Sequence, residues 1–326
     1  MEAFAHVGGL LATGLAETTS DLAALDGQGW WAVAVSYEGE VTCARFEDVR
    51  PAPHPDAPWR GPGAWTSSMS ETDYVEGVRK IKAAIAEGIV YQANLCRILS
   101  ASVSDEITGL GARLARGNPA PYAMTLSLPG LRLASASPEL YLSRVGEIIE
   151  SRPIKGTGRT AADLLPKDHA ENVMIVDLVR NDLGRTAEIG SVTVPELCVV
   201  EAHPGLVHLV STVRARTTAP WPEIIQSTFP PGSVTGAPKS SALTLIEELE
   251  PVPRGPYCGA VGWVNADAGT AALAVGIRTF WIEGAQLRFG TGAGITWGSD
   301  PEREWRETEL KAKRLLEVAG EGLGQR

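Results

Sequence analysis

The stretch Ser151-Arg-Pro-Ile-Lys-Gly-Thr-Gly-Arg159 sets one lysine, Lys155, between an apolar Pro153-Ile154 pair and the flexible Gly156-Thr157-Gly158. Glycine lets backbone come close to a bound molecule. A lysine partly desolvated there loses some of its preference for the charged form, and a free amine attacks electrophilic carbon. The competing reading is a surface lysine in a glycine turn. Asp168 and Glu171 are three residues apart on one helix, and Glu304 and Glu307 repeat that spacing on another. Like charges so placed repel. Two such pairs facing each other would supply oxygen ligands for Mg²⁺; water, or for the later pair the positive end of its helix, accounts for them without an ion.

Other residues are ambiguous taken singly. His208, inside the apolar run Leu206-Val-His-Leu-Val210, reads as a core histidine or a catalyst. Glu139, beside Pro138 between strands, reads as a solvated turn carboxylate. Gln92 and Asn94 share a strand face, where buried amides satisfy each other, the backbone or a ligand. Arg278, between Ile277 and Phe280 in an apolar strand, needs an anionic partner and is a candidate for a substrate carboxylate. Residues 229–239, Phe-Pro-Pro-Gly-Ser-Val-Thr-Gly-Ala-Pro-Lys, run into a helix and make either an anion site of loop amides or a helix cap.

The elements that must position these groups follow from periodicity. Val33, Val35 and Tyr37 alternate as a strand, turned back at Glu38-Gly39-Glu40 into Val41 and Ala44. Five prolines in 51–62 mark an irregular linker. Ser70 to Asp73 caps a helix with Tyr74, Val78, Ile81 and Ile85 on one face, ended by Gly88, and residues 89–95 alternate as a strand. Residues 122–149 read as strands, 166–183 as a helix ended by Gly184 with Val173 among its buried residues, and 192–200 and 206–210 as strands. A helix over 238–249 follows. Residues 257–264, 270–282 and 286–290 read as one antiparallel meander, with Gly290-Thr-Gly-Ala-Gly294 ending it, and Asp300-Pro301 starts the last helix.

Composition narrows the partners. A net charge of -10 lacks the basic stripe that nucleic acid requires, so an anionic substrate needs a locally positive site or a metal. The four cysteines show neither CxxC spacing nor a disulfide framework, which fits a reducing, cytoplasmic home. The start of the chain has no basic n-region, and no apolar stretch reaches a membrane span.

Four long strings in order carry a resemblance: Arg152-Pro-Ile-Lys-Gly-Thr157, Glu171-Asn-Val-Met-Ile-Val-Asp-Leu-Val-Arg-Asn-Asp-Leu-Gly184, Gly232-Ser-Val-Thr-Gly-Ala-Pro-Lys239 and Ala274-Val-Gly-Ile-Arg-Thr279. Over residues 70–320 the chain resembles the chorismate-utilising enzymes, which include anthranilate synthase component I, aminodeoxychorismate synthase component I and the isochorismate and salicylate synthases. The resemblance implies an α+β fold of the anthranilate synthase component I type, two antiparallel-rich sheets covered by helices. It also implies an abbreviated strand region and Pro-rich linker over 1–65 and a chorismate-binding catalytic domain over 66–326. Family members usually have a fuller N-terminal half, which helps contact an amidotransferase and in some forms a tryptophan pocket.

Within the family, Pro-Ile-Lys-Gly-Thr is similar to the aminodeoxychorismate synthases, whereas anthranilate synthases carry alanine where this chain has Lys155. The implied reaction is attack of Lys155 on C2 of chorismate, with Glu139 as the general acid for the departing C4 hydroxyl and ammonia resolving the adduct at C4. The product feeds 4-aminobenzoate and folate biosynthesis. Isochorismate and salicylate synthases place a lysine base where this chain has Gln92. The resemblance further implies Mg²⁺ on Glu171 and Glu307 directly, and on Asp168 and Glu304 through water. Thr235, Gly236, Tyr257, Arg278, Gly292 and Gly294 would hold substrate, and His208 matches the family's active-site histidine. Ammonia would come from a separate glutamine amidotransferase subunit or from solution. An anthranilate or aminodeoxyisochorismate synthase, and a chorismate-binding protein without turnover, are the other readings.

Overall fold

The computed structural model describes residues 3–158, 160–164, 166–203 and 206–320; Arg159, which closes the lysine stretch, and Met1 lie outside them. The strands are, in chain order, β1 (Phe4–Val7), β2 (Leu10–Thr19), β3 (Trp30–Val35), β4 (Val41–Pro51), β5 (Thr66–Ser67), β6 (Gln92–Ser102), β7 (Tyr122–Leu128), β8 (Leu131–Ser137) and β9 (Leu140–Val145). They continue as β10 (Ile148–Arg152), β11 (Ile154–Gly158), β12 (Thr193–His203), β13 (Leu206–Arg216), β14 (Gly236–Ala237), β15 (Ala260–Asn265), β16 (Thr270–Val275), β17 (Thr279–Glu283) and β18 (Gln286–Ile295). The helices are α1 (Glu71–Ala86), α2 (Ile107–Gly117), α3 (Pro166–Gly184), α4 (Trp221–Thr228), α5 (Lys239–Leu249) and α6 (Pro301–Gly320).

Pairing among the described strands is antiparallel and sorts into two sheets. The first runs β2, β4, β3, β15, β16, β9, β10, β13, β12, with β11 following β10 along the same edge of β13. The second runs β1, β7, β8, β17, β18, β6, with the short β5 and β14 on β6. The β1–β2 hairpin joins them.

Alternation along each strand decides which layer a side chain enters. Leu133 and Trp281 face the main core with Val33, Leu142 and Val261 of the first sheet, whereas their neighbours Ala134 and Phe280 face outward into a second cluster under α2 and α6. A third cluster, Tyr74, Val78, Ile81, Leu95 and Ile295, seats α1 on β6 and β18. Helix α1 begins at Ser70 with a reciprocal cap: Asp73 N–H donates to Ser70 Oγ and Ser70 N–H to Asp73 Oδ2. Trp30 to Val35 are buried in the main core, so the N-terminal strands belong to the same packed body as the lysine segment. The Pro-rich stretch is tied down by Trp59, whose indole donates to Ala319 O at 2.8 Å. The four cysteines are free, and among the described residues no helix is long and apolar enough to cross a membrane.

Three sequence expectations need correction. The 257–290 meander is two hairpins in different sheets: β15 and β16 pair in the first, β17 and β18 in the second, and the 270–282 run breaks at Gly276–Arg278. Arg278 is therefore in no strand; its φ of 53° lies in the left-handed region, which redirects the chain between layers. The glycines at 290–294 do not end the hairpin but continue β18, paired residue for residue with β6. Val173 is 47% exposed, because α3 buries Ile175, Val176, Val179 and Leu183 and leaves Val173 off that face. Helices α2 and α4 and the strands β1 and β2 lie outside the elements expected from periodicity.

A fully buried ion pair ties the 229–239 loop to β6. Arg254, 1% exposed, donates to Glu250 at 2.6 and 2.7 Å, to Val234 O at 2.9 Å and to Asn94 O at 3.2 Å, with its guanidinium 4.3 Å from the Tyr37 ring. Glu250 also accepts Cys96 N–H at 2.8 Å. Removing one partner leaves the other charged, buried and uncompensated. Arg254→Ala is expected to cost about 3–5 kcal/mol in urea unfolding, with the Glu250→Leu/Arg254→Met double variant recovering most of it. A loss under about 1 kcal/mol in the single variant would show that the pair is not a constraint.

Candidate active site

Pro153 offers no N–H, so the ladder along β13 is interrupted there and resumes as β11, which carries Lys155. The Lys155 side chain is 12% exposed, and its Nζ lies 3.0 Å from Glu171 Oε1 and 3.0 Å from Ser233 O. Those partners come from α3 and from the 229–239 loop. The same Glu171 oxygen accepts from Gln92 Nε2 at 2.8 Å, and the same Ser233 carbonyl from Asn94 Nδ2 at 3.3 Å. Gln92 and Asn94 are two apart on β6, hence on one face. A Cβ on Gly294, opposite Asn94, would sit 2.9 Å from Glu171 Oε1 and 3.1 Å from Asn94 Oδ1, so only glycine permits this convergence. The buried amide oxygens of Gln92 and Asn94 lack hydrogen-bond partners, leaving two acceptors in the wall for a ligand's donors.

Glu139 is not a solvated turn carboxylate. It is 4% exposed, on a bend pinned by Ser137, whose hydroxyl donates to Val275 O at 2.7 Å, and by its own carbonyl, which accepts Val275 N–H at 3.0 Å. Burial pushes its carboxyl up to about 7, against the opposing pull of the Ser233 hydroxyl, the Lys155 charge, the Ile154 N–H and the Arg278 charge. A carboxyl so placed is poised to give a proton near neutral pH. Arg278 stands half-buried in its left-handed break; burial lowers its affinity for the proton and Glu139 restores part of it. Behind Glu139 a small cavity of about 20 Å³ is bordered by Tyr141, Ser151, Asp182, Thr228 and Ser233.

The remaining expected residues lie on strands and loops that adjoin these elements. His208 is buried on β13, in register with Thr157 of the lysine strand. Thr235 is fully buried and spends its hydroxyl on Pro231 O at 3.2 Å, holding its own loop in shape. Gly236 pairs with Ala93 of β6. Tyr257 is buried with its ring where a Cβ on Gly290 would sit, and burial raises its hydroxyl. A Cβ on Gly292 would press within 2.5 Å of Cys96 Sγ, so this stretch of β18 is bare backbone by necessity.

The four acids supply only oxygen, the donor type Mg²⁺ takes. Glu171 and Glu307 approach the same strand: Glu171 stands against Gly294, and Glu307 pairs with Lys311 at 2.7 Å, whose Nζ reaches Gly292 O at 3.2 Å. Asp168 packs against Gly156 beside the lysine, and Glu304 is buried with its charge felt, like that of Glu307, at Tyr74. Among the described residues no three ligating side chains gather at one point, and Glu171 and Glu307 are each paired with a lysine, Lys155 and Lys311. The acids suit Mg²⁺ in donor type, not in placement.

Two groups escaped the sequence reading. Ser233 touches both Lys155 and Asn94 through its carbonyl, and only its place in the glycine and hydroxyl loop pointed there. The buried pair Lys239–Asp182, at 2.6 Å, anchors the end of that loop, with Lys239 also donating to Thr228 O at 3.0 Å. Asp182 sits eleven residues beyond Glu171 on α3, and no local pattern links it to Lys239.

Comparison with known proteins bears on the family and the fold. The chain is 38% identical over 309 residues to aminodeoxychorismate synthase component 1 of Salmonella typhimurium, covering 88% of this chain and 68% of that one. It is 38% identical over 274 residues to anthranilate synthase component 1 1 of Haloarcula marismortui, covering 80% of this chain but 56% of that one, so it spans only part of the length of such relatives. The solved anthranilate synthase component I of Streptococcus pneumoniae superposes with a TM-score of 0.80 over 97% of this chain and 90% of that one, at 23% identity. The menaquinone-specific isochorismate synthase of Escherichia coli superposes with a TM-score of 0.80 over 98% of this chain and 88% of that one, at 18% identity; both likenesses bear on the fold, which is of the anthranilate synthase type. Residues 19–317 match the family described as chorismate binding enzymes, and with the lysine, the buried acid and the glycine-walled strand in one place, the chain belongs to that family.

Proposed function

We propose that the protein is an aminodeoxychorismate synthase component I, a transferase that converts chorismate and ammonia to 4-amino-4-deoxychorismate and water. The observation that carries this reading is Lys155 itself, its side chain 12% exposed and set between a carboxylate and a carbonyl within the same site as a buried acid. The lysine attacks as the free amine, adding to C2 of chorismate. The ring double bonds shift, the C4–O bond breaks, and Glu139 supplies the proton with which the hydroxyl leaves as water. Ammonia adds at C4, the ring double bonds shift back, the C2–N bond to Lys155 breaks to return the free amine, and the proton shed by the new C4 amine restores Glu139.

Arg278, the loop amides at Thr235 and Gly236 and the bare backbone at Gly292 and Gly294 would seat the carboxylates and the enolpyruvyl group. Tyr257 would help hold the substrate, and His208 would serve as a catalytic residue. Gln92 has no basic nitrogen to activate water, which favours ammonia as nucleophile. Glu171 and Glu307, with Asp168 and Glu304 behind them, are the acids that would hold Mg²⁺, which when bound offsets the charge of the substrate's ring carboxylate. We place the enzyme in the cytoplasm, fed with ammonia by a glutamine amidotransferase subunit, on the route to 4-aminobenzoate and folate.

Incubation with chorismate, Mg²⁺ and ammonium, with the product identified by mass and NMR, is expected to give the 4-amino product. Anthranilate would instead favour the second enzyme class among the relatives, and bound but unchanged chorismate a protein without turnover. Lys155→Ala should abolish the 4-amino product, and intact mass of the wild type should show a chorismate-derived adduct; full activity in the variant rules out covalent catalysis.

Glu139 also makes a pH prediction. Its carboxyl is raised in the folded state from 4.5 to about 7, so its stabilising contribution is complete below about pH 4.5 and lost as pH rises through 7. Relative to Glu139→Gln, the wild type should lose roughly 2–5 kcal/mol of stability across that window, seen by urea unfolding at several pH values. A pH-independent difference would mean that folding leaves the proton affinity of Glu139 unchanged.

A further inference from the structure

We propose that Ser233 is a positioning residue that sets the register between nucleophile and acid, its carbonyl holding Lys155 while its hydroxyl holds Glu139. The inference rests on the roles given to Lys155 and Glu139 above. Ser233 is 6% exposed, its carbonyl accepts from Lys155 Nζ at 3.0 Å and from Asn94 Nδ2 at 3.3 Å, and it borders the same small cavity as Glu139. Its hydroxyl is among the groups that favour the ionised form of that acid.

The turn that carries Ser233 is braced on every side. Thr235 Oγ1 donates to Pro231 O and Gly232 O at 3.2 and 3.3 Å, and Arg254 donates to Val234 O at 2.9 Å. Leu178 of α3 fills the space that a Cβ on Gly232 would need. A residue so fixed is a reference point rather than an adaptable contact.

The chemistry of a hydroxyl suits the task. It donates to an ionised carboxylate and accepts from a protonated one, so it holds Glu139 on both sides of proton transfer and stabilises the anion as it forms. The charged and titratable groups facing Glu139 are Lys155 on β11, Arg278 between β16 and β17, Asp182 of α3 across the cavity and Tyr141 on β9. Ser233→Ala removes none of these groups and keeps the backbone carbonyl that holds Lys155, so a shift in Glu139 reports the lost hydroxyl.

The test compares Ser233→Ala and Ser233→Thr with wild type. Glu139 is titrated by NMR on protein carrying ¹³C-labelled glutamate, with Glu139→Gln assigning the signal and no substrate present. Ser233→Ala is expected to titrate at higher pH than wild type, and Ser233→Thr, which keeps the hydroxyl, to return toward it. In turnover, Ser233→Ala should lower kcat about 10- to 100-fold with KM within about threefold, and move the limb set by the acid to higher pH. An unshifted Glu139 signal in Ser233→Ala overturns the proposal, as does a Thr variant as altered as Ala in both measurements. Wild-type protein that binds chorismate without converting it overturns the functional reading instead, and leaves the titration to decide the role of Ser233.

Discussion

A lysine nitrogen drawn largely out of water needs protein groups to replace the hydration it loses, and the folded chain brings such groups to Lys155, whose side chain is 12% exposed. The replacements are a carboxylate from α3 and a carbonyl from the 229–239 loop, each at 3.0 Å. Neither comes from the strand that carries the lysine. The first sheet must present β11, α3 must lie across it, and the loop must reach in from the other side, so the position of this one nitrogen depends on three stretches far apart in the chain.

The loop could not serve as a fixed reference without its own supports. Arg254 and Glu250 bind it to β6 from beneath, and Lys239 with Asp182 holds its far end to α3. These pairs lie behind the site rather than in it. Their cost of desolvation is offset by mutual attraction and by backbone carbonyls that would otherwise go unpaired. Rigidity in the loop is thereby supplied by charge in the interior of a chain whose net charge is negative.

The opposite wall works by omission. Gly292 and Gly294 lie in the ladder between β18 and β6, where a side chain would strike Cys96, Gln92 or Glu171. Bare backbone there brings Gln92, Asn94 and Glu171 within reach of one another, and the two unsatisfied amide oxygens mark where a polar ligand would be received. Glu139 is the counterpart on the lysine side: burial, not a neighbouring anion, is the largest cause of its raised affinity for the proton.

The sequence by itself determined the elements whose signals are local. The Ser70 cap of α1, the hairpin through Glu38-Gly39-Glu40, the Asp300-Pro301 start of α6 and the ordered motifs around Lys155, Glu171 and Gly232 were legible because capping, turn chemistry and periodicity act over a few residues. It did not determine where the 270–282 run breaks, since a residue at φ 53° leaves no mark in an apolar string. Nor could it separate a surface lysine from a buried one, or a turn carboxylate from an acid titrating near neutrality. Burial and pairing are properties of what the rest of the chain brings alongside, so only the tertiary structure decided that Lys155, Glu171, Ser233 and Glu139 share one site.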